Sequence, residues 1–391
     1  MRVLMINVTC GSGSTGRICT DLADVLENEG HTVKIAYGRG YVSEKYLKYA
    51  VRIGNDIDVY SHVFKARLCD RMGFGSEHAT RKFINWVKEY DPDVIHLHNI
   101  HGYYINIKIL FAYLKVCKKK IIWTLHDCWS FTGHCAFFEC VECNKWITGC
   151  SNCKQKNTYP SRIGVDMSEK NYFEKKSLFT SIPNLTIVTP SEWLANLIKQ
   201  SFLRDYPVEI VNNGVNTDVF RNVKTDIKEK NGIANEKKIV LGIASVWDKR
   251  KGLDDFIQLS TLLDDEYQIV LIGLTEKQIS KLPESIIGIT RTENVNELVE
   301  WYSAAYVFIN PTFEDNYPTT NIEAISCGTP VISYNTGGSR ESALLYGCVT
   351  TEKTPQSIVS SITELGYLPK NKKDISYESM LQKYLMLYPS I

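Results

Sequence analysis

The chain has 391 residues, too many for one ordinary hydrophobic core, so two domains are expected. Its 44% hydrophobic and 23% charged residues are those of a well-packed globular protein, and no run reaches the ~20 apolar residues that span a bilayer. A net charge of +1 gives no global reason to expect nucleic acid. The N-terminal stretch turns polar after ten residues and lacks the basic start and cleavage site of a signal peptide, so a cytoplasmic protein is expected.

The chain opens as a βαβ unit: the strand VLMINVT, a glycine-rich turn, GRICTDLADVLENEG with helical spacing and a glycine stop, then the strand HTVKIAYG. Buried-strand candidates follow at 93–99, 120–127 and 185–191, each handing over to polar, helix-starting residues. After VEIVNNGVNTDVF (208–220) the cycle restarts with apolar runs at 238–245, 267–273, 305–311 and 329–335. Alternation of this kind predicts parallel sheets covered by helices, in two doubly wound domains that meet near residues 215–225. The tail from Ser376 to Tyr388 reads as a helix that packs back on the first domain. Open parallel sheets bind ligands beyond the carboxyl ends of their strands, so the loops there are the candidate sites, and two such sheets face to face would make a cleft.

Gly11-Ser12-Gly13-Ser14-Thr15-Gly16 satisfies G-x-G-x-x-G after a strand and before a helix, which points to a dinucleotide. The acid expected about 20 residues on is missing, and the second strand ends at Arg39, which suits NADP better than NAD. A plain glycine turn explains the same pattern.

Five of the twelve cysteines fall between positions 135 and 153. Two C-x2-C pairs, Cys140/Cys143 and Cys150/Cys153, have the spacing of a closed, structural zinc site, with Cys135 as an alternative ligand. A nucleic-acid-binding zinc knuckle is disfavoured, because aromatic and basic residues do not interleave there.

In EDNYPTTNIEAISCGTPVI (314–332) two acids, Asp315 and Glu323, bracket a turn that runs into a helix. Thr320-x-x-Glu323 fits a capping box, and Asp315 could brace an Asx turn. The loop SVWDKRKGLDDF (245–256) crowds Lys249, Arg250 and Lys251 after another strand. A diphosphate held between those cations and the Thr319/Thr320/Asn321 helix start, with hydroxyls left for the acids, describes a sugar nucleotide.

Here the sequence resembles a retaining glycosyltransferase of the GT-B fold, family 4 (glycosyl transferases group 1). The resemblance spans almost the whole chain and rests on Asp315-x7-Glu323, on Cys327-Gly328-Thr329-Pro330-Val331, on Asn213 to Phe220, on Thr189-Pro190-Ser191, on Tyr302-Ser303-Ala304-Ala305 and on Gly337 to Glu341. It implies an α/β protein of two Rossmann-like domains facing a central cleft. Residues 1–215 would bind the acceptor and carry a Cys-rich insertion at 134–154; residues 216–372 would bind the nucleotide sugar; 373–391 would form the C-terminal helix. By resemblance, Glu323 would hold the ribose, Asp315 a sugar hydroxyl, and Lys251 with Arg250 the diphosphate. Backbone N–H groups at Thr319 and Thr320, beside Asn321, would complete that cradle. His126 would stand at the donor sugar, Gly11, Gly13 and Gly16 under the phosphate and acceptor, and His98 and Asn99 on the acceptor side. Asp315 replaces the family's commoner Glu, and the family's further arginine has no match near Ser245.

The function so implied is transfer of a sugar, from a UDP-sugar by the family's habit, to a glycan or lipid-linked glycan in surface polysaccharide assembly, with no cofactor required for catalysis and zinc at most structural. The competing readings are an NADP-dependent oxidoreductase and a catalytically silent sugar-nucleotide-binding protein. A nucleic-acid partner is not expected. Segments 62–74 and 114–120 mix apolar and basic residues, which would suit peripheral contact with the anionic inner face of the cell membrane; a solvated helix covering the core explains them equally.

Overall fold

A computed structural model describes residues 1–365 and 374–388. The chain divides into two units, Met1–Val211 with Leu381 onward, and Asn212–Met380. The expected boundary at 372/373 lies outside the described residues.

The first unit is built on seven strands: β1 (Arg2–Asn7), β2 (Thr32–Tyr37), β3 (Ala50–Arg52), β4 (Val94–Leu97), β5 (Lys120–Thr124), β6 (Leu185–Thr189) and β7 (Val208–Ile210). They form one parallel sheet in the order β3-β2-β1-β4-β5-β6-β7. Chain order reverses between β1 and β4, so the loops that follow these strands splay apart and open a crevice there. The central strands are continuous apolar runs because helices cover both faces: Val3, Leu4, Met5 and Ile6 are all buried. Helix Gly13–Asn28 buries Ile18, Cys19, Leu22, Ala23 and Leu26, one stripe at helical spacing. Tyr384 and Tyr388, near the end of the described chain, return to this unit: the Tyr388 hydroxyl is 2.7 Å from His96 Nδ1, and Tyr384 is 3.4 Å from Thr124 Oγ1. Helix Tyr377–Leu385 thus carries the chain back to the first sheet.

The second unit has six strands: β8 (Lys238–Ile243), β9 (Tyr267–Ile272), β10 (Ile286–Ile289), β11 (Ala305–Asn310), β12 (Val331–Tyr334) and β13 (Gly347–Thr350). Their order is β10-β9-β8-β11-β12-β13, again parallel, with the reversal between β8 and β11. Alternate residues feed two cores. Ile239, Leu241 and Phe308 pack with Tyr302 and Ile322 on one face, while Val240, Val307 and Ile309 pack with Phe256 and Ile358 on the other.

Candidate functional site

The reversal point of the second sheet gathers the residues singled out at 245–256 and 314–332. The loop after β8 makes a short 3-10 turn, Lys249–Lys251, whose start is capped by Asp248 accepting from the Lys251 N–H. Gly252 then takes a left-handed φ of 72°, and a Cβ there would stand 2.5 Å from Pro311 O, so the close approach of this loop to the end of β11 requires glycine. Three further bonds lock the two loops together. Arg250 O accepts from the Phe313 N–H (2.8 Å) and the Thr312 hydroxyl (3.2 Å), and Arg250 Nη1 donates to Glu314 O at 2.8 Å.

At the end of this clasp Lys251 Nζ donates to Asp315 Oδ2 at 2.5 Å, each side chain only 18% exposed. Burial by itself would raise the Asp315 carboxyl, but the Lys251 ammonium, its direct hydrogen bond and Arg250 outweigh it and hold the group below the usual carboxylate range. Asp315 does not brace an Asx turn: its second oxygen accepts from the N–H of Asn316, the next residue. Its carbonyl accepts from the Gly338 N–H, and a Cβ on Gly337 would meet that same oxygen at 2.1 Å. The Gly337-Gly338 pair is therefore what lets the next loop pack against Asp315.

Helix Thr319–Ser326 starts beside this pair. Its N-cap is Pro318, with no side-chain cap, so the capping box read at Thr320/Glu323 does not form; both residues lie inside the helix. First-turn N–H groups at Thr319 and Thr320 consequently receive no cap from the Pro318 side chain, which leaves an anion-favouring helix end near Lys251. Glu323, one turn on, accepts from the Tyr302 hydroxyl at 3.0 Å. Burial, then the Glu323 charge, pushes the Tyr302 phenol well above its usual value, so it stays a donor.

Asn321 departs from its expected place at the donor. It is fully buried; its Oδ1 accepts from Asn310 Nδ2 at 2.8 Å, and its own amide donates to the Ser342 hydroxyl at 2.9 Å. An apolar helix face cannot satisfy a buried amide, so the side chain turns to the polar seam of Asn310, Ser339 and Ser342 and fixes the helix to β11. Sequence reading also missed Tyr302 as the partner of Glu323; an aromatic residue in an apolar helix gives no sign that its hydroxyl is committed. Beside the cationic loop, Ser245, Trp247, Gly273, Thr275 and Gln278 line a pocket of about 350 Å³ at the carboxyl ends of β8 and β9.

In the first unit, the reversal point between β1 and β4 carries the glycine loop. Gly11 N–H bonds Gly16 O, and Gly11 and Gly13 both take positive φ. A Cβ on Gly16 would sit 2.6 Å from Thr9 Oγ1, so glycine permits the helix start to close on β1. Ser12 caps helix Gly13–Asn28 without a side-chain bond and no acid occupies its first turn. Asn99, after β4, is tied to this loop through its N–H and Asn7 Oδ1 at 3.2 Å. His98 Nδ1 lies 3.2 Å from His126 Nε2. Burial drives the His126 imidazole down to about 4 and His98 well below its usual value, so both are neutral near pH 7.

Of the cysteines expected to hold zinc, Cys140, Cys143, Cys150 and Cys153 with Cys135 as the alternative, Cys135, Cys143 and Cys153 line one pocket. Among the described residues no group of three or more His, Cys, Asp or Glu side chains stands together to hold a metal ion. Cys140 is exposed, whereas Cys143 is half-buried against the apolar core of the first unit, its N–H bonded to Phe138 O at 3.3 Å. Cys150 is buried and its sulfur accepts from the Gly133 N–H at 3.1 Å, while Cys135 is hydrogen-bonded to Cys153. The physical reason is that packing of Phe131, Phe138 and Trp146 holds the insertion, and those rings set where each thiol falls. Of the segment 62–74, His62, Ala66, Met72 and Phe74 are buried, Lys65 donates to Phe74 O and Arg71 to Asn171 and Glu174. No described helix is long and apolar enough to cross a membrane.

Two Rossmann-like domains, each on a parallel sheet that reverses its strand order, are the fold of the GT-B glycosyltransferases. Residues 15–219 match the family described as Glycosyltransferase Family 4, and residues 223–380 match Glycosyl transferases group 1. The chain belongs to this glycosyltransferase family, and the oxidoreductase reading of the glycine loop falls. It is 23% identical over 417 residues, and the full length of both chains, to a glycosyl transferase assigned to colanic acid biosynthesis, WcaC of Escherichia coli K12. It is 28% identical over 180 residues, 40% of this chain and 45% of the other, to the alpha-galactosylglucosyldiacylglycerol synthase of Streptococcus pneumoniae. Among solved structures it resembles sucrose-phosphate synthase of Thermosynechococcus elongatus (TM-score 0.71, 14% identity, 99% and 98% of the two chains). It also resembles Anabaena HepE in complex with UDP and glucose (TM-score 0.67, 13% identity, 99% and 98%).

Proposed function

We propose that the enzyme is a retaining hexosyltransferase that moves a sugar from a nucleoside diphosphate donor, a UDP-sugar in the first instance, to a hydroxyl of a glycan or lipid-linked glycan during surface polysaccharide assembly. The observation that carries this reading is the Lys251–Asp315 pair beside the uncapped start of helix Thr319–Ser326. A diphosphate entering there takes over the Lys251 ammonium and the helix N–H groups, and Asp315, released from its partner, accepts a hydroxyl of the donor sugar. Glu323, oriented by Tyr302, takes the ribose hydroxyls, and the Ser245–Gln278 pocket takes the base. Arg250 acts mainly by clasping the two loops, and its charge adds to the field at the phosphates.

In the reaction the bond from the anomeric carbon to the diphosphate breaks, and the acceptor oxygen bonds to that carbon on the face the diphosphate leaves. The acceptor proton passes to the departing phosphate oxygen. Negative charge grows on that oxygen, and cations fixed in advance stabilise it without reorganisation. Neutral His126 can donate a hydrogen bond to the donor sugar. The glycine loop, His98 and Asn99 would serve the acceptor side. The full-length likeness to WcaC supports a polysaccharide setting, and the likeness to HepE, solved with UDP and glucose, supports the donor class. Thermal shifts with a panel of nucleotide sugars test this reading: stabilisation by one nucleotide family, with NMR of the product showing the donor's anomeric configuration, supports it, and an inverted product contradicts the retaining assignment. Slow hydrolysis of the donor without acceptor separates an enzyme from a silent binder.

Peripheral membrane contact belongs to the same proposal. Helix Asp56–Cys69 exposes Ile57, Tyr60, Phe64 and Leu68 at positions i, i+3, i+7 and i+11, a second apolar stripe opposite the buried one. Sedimentation with anionic vesicles that is abolished by Phe64→Ser with Ile57→Ser tests it; unchanged sedimentation removes this face from the account.

A further inference from the structure

Arg39, at the end of β2, lies near the carboxyl edge of the first sheet with no obvious employment. Among the described residues no carboxylate pairs with it; its guanidinium carbon stands 5.7 Å from the centre of the Tyr103 ring. Tyr103 itself has φ of 71°, a left-handed conformation that costs a bulky side chain of order 1–3 kcal/mol and persists only where the surroundings impose it. The ring is held edge-to-face by His62 at 6.0 Å and by Tyr159 at 6.4 Å. Burial raises the Tyr103 phenol, and Arg39 beside its ring opposes that rise. Its hydroxyl has no hydrogen-bond partner among the described residues.

The acid in this cluster is committed elsewhere. Asp127 gives one oxygen to the Trp129 N–H (2.9 Å) and the other to His101 Nε2 (2.9 Å). Burial would raise its carboxyl, but His101 and that N–H hold it below the usual range, so it stays ionised and accepts only. His101 Nε2 is therefore the donor, and Nδ1, at 3.0 Å, accepts the Tyr159 O–H. With its proton so committed, the Tyr159 oxygen is left as an acceptor. The cluster thus offers the Arg39 guanidinium and the Tyr103 O–H to an oxyanion, and next to them an acceptor suited to a hydroxyl.

We infer that Arg39, Tyr103 and Tyr159 form a subsite for an anionic sugar, one whose hydroxyl meets Tyr159 and whose phosphate or carboxylate meets Arg39. This deepens the proposed function by naming the class of acceptor, and rests on it. It sets Arg39 to work on the acceptor rather than on a cofactor phosphate.

The test is titration of α-glucose 1-phosphate, glucuronate and glucose into the full chain, into Arg39→Met, and into Lys251→Met, which removes the phosphate cation of the second unit. Both anionic sugars should bind, glucose at least about tenfold more weakly, and Arg39→Met should weaken the anionic sugars about tenfold while Lys251→Met leaves them in place. Competition by phosphatidylcholine vesicles doped with phosphatidic acid, lost in Arg39→Met, would assign the oxyanion to a lipid headgroup; competition by soluble sugar phosphate alone would assign it to a free or glycan-borne group. Binding of glucose 1-phosphate that is unchanged in Arg39→Met, or lost only in Lys251→Met, overturns the inference. UDP affinity and melting temperature, measured on the same variants, test the donor reading and the fold separately: Arg39→Met should change neither.

Discussion

Lys251 and Asp315 come from different loops, 64 residues apart, and meet as an ion pair at the point where the second sheet reverses its strand order. Each is also a residue that a sugar nucleotide would need. The resting pair keeps both groups ionised and aimed until a diphosphate competes for the lysine.

Removing the acid alone strands that lysine. Asp315→Ala should cost about 1–3 kcal/mol in urea denaturation, less than a fully buried pair because both side chains keep some exposure. Asp315→Glu preserves the charge but moves it by one methylene, so stability should hold while relative kcat/KM among donor sugars shifts. Equal donor preference in Asp315→Glu would show that this carboxylate does not touch the sugar.

Tyr302→Phe removes one buried hydrogen bond to Glu323 and nothing else. The expected loss is about 1–2 kcal/mol of stability. Because Glu323 then loses its fixed orientation, donor KM should rise several-fold with kcat little changed. A fall in kcat at constant KM would place Glu323 nearer the reacting bond than a ribose contact does.

Asn321→Ala should destabilise by about 2–3 kcal/mol, since it leaves Asn310 Nδ2 and the Ser342 hydroxyl buried without their partner. Asn321→Asp would add an unpaired buried charge and should be worse still. A variant as stable as the parent would mean the seam repacks, and the helix start would then not depend on it.

Much of this was legible in the sequence because parallel strands with helices on both faces must be continuous apolar runs. VLMI, KIIWT and KIVLGI leave little choice. The strands missed were β3, β7, β10 and β13, all at sheet edges, three or four residues long and half exposed, where pairing with a neighbour rather than composition makes the strand. At the candidate site, charge crowding around Lys251 and the 315–323 segment pointed to two loops that the second sheet brings together. What sequence could not supply was direction: Asn321 faces inward, Glu323 leans on Tyr302, and of the clustered cysteines Cys140 faces solvent while Cys143 packs against the core. Spacing gives candidates for a cluster, but packing decides which thiols face one another.

The first unit should be acid-labile. Burial lowers His62 and His96 to about 3 and His126 to about 4, against 6.5 when unfolded. Between those values the unfolded chain binds protons that the folded chain refuses, so stability is full above pH 6.5 and falls as the pH drops towards 4. Each fully buried imidazole contributes on the order of a few kcal/mol to that fall. Melting curves across this range should show it, and His96→Gln should flatten the slope; a slope identical to that of the parent would mean that His96 takes up its proton in the folded state.

The most direct test of the account is the affinity of Lys251→Ala for nucleoside diphosphates and its turnover of the donor they identify, with Lys251→Ala/Asp315→Asn as a control that restores local neutrality. The account predicts that circular dichroism is unchanged, that stabilisation by the nucleotide is lost in both variants, and that turnover falls at least about 100-fold. Parental nucleotide affinity and turnover in Lys251→Ala would contradict the placement of the diphosphate and, with it, the reading of this site.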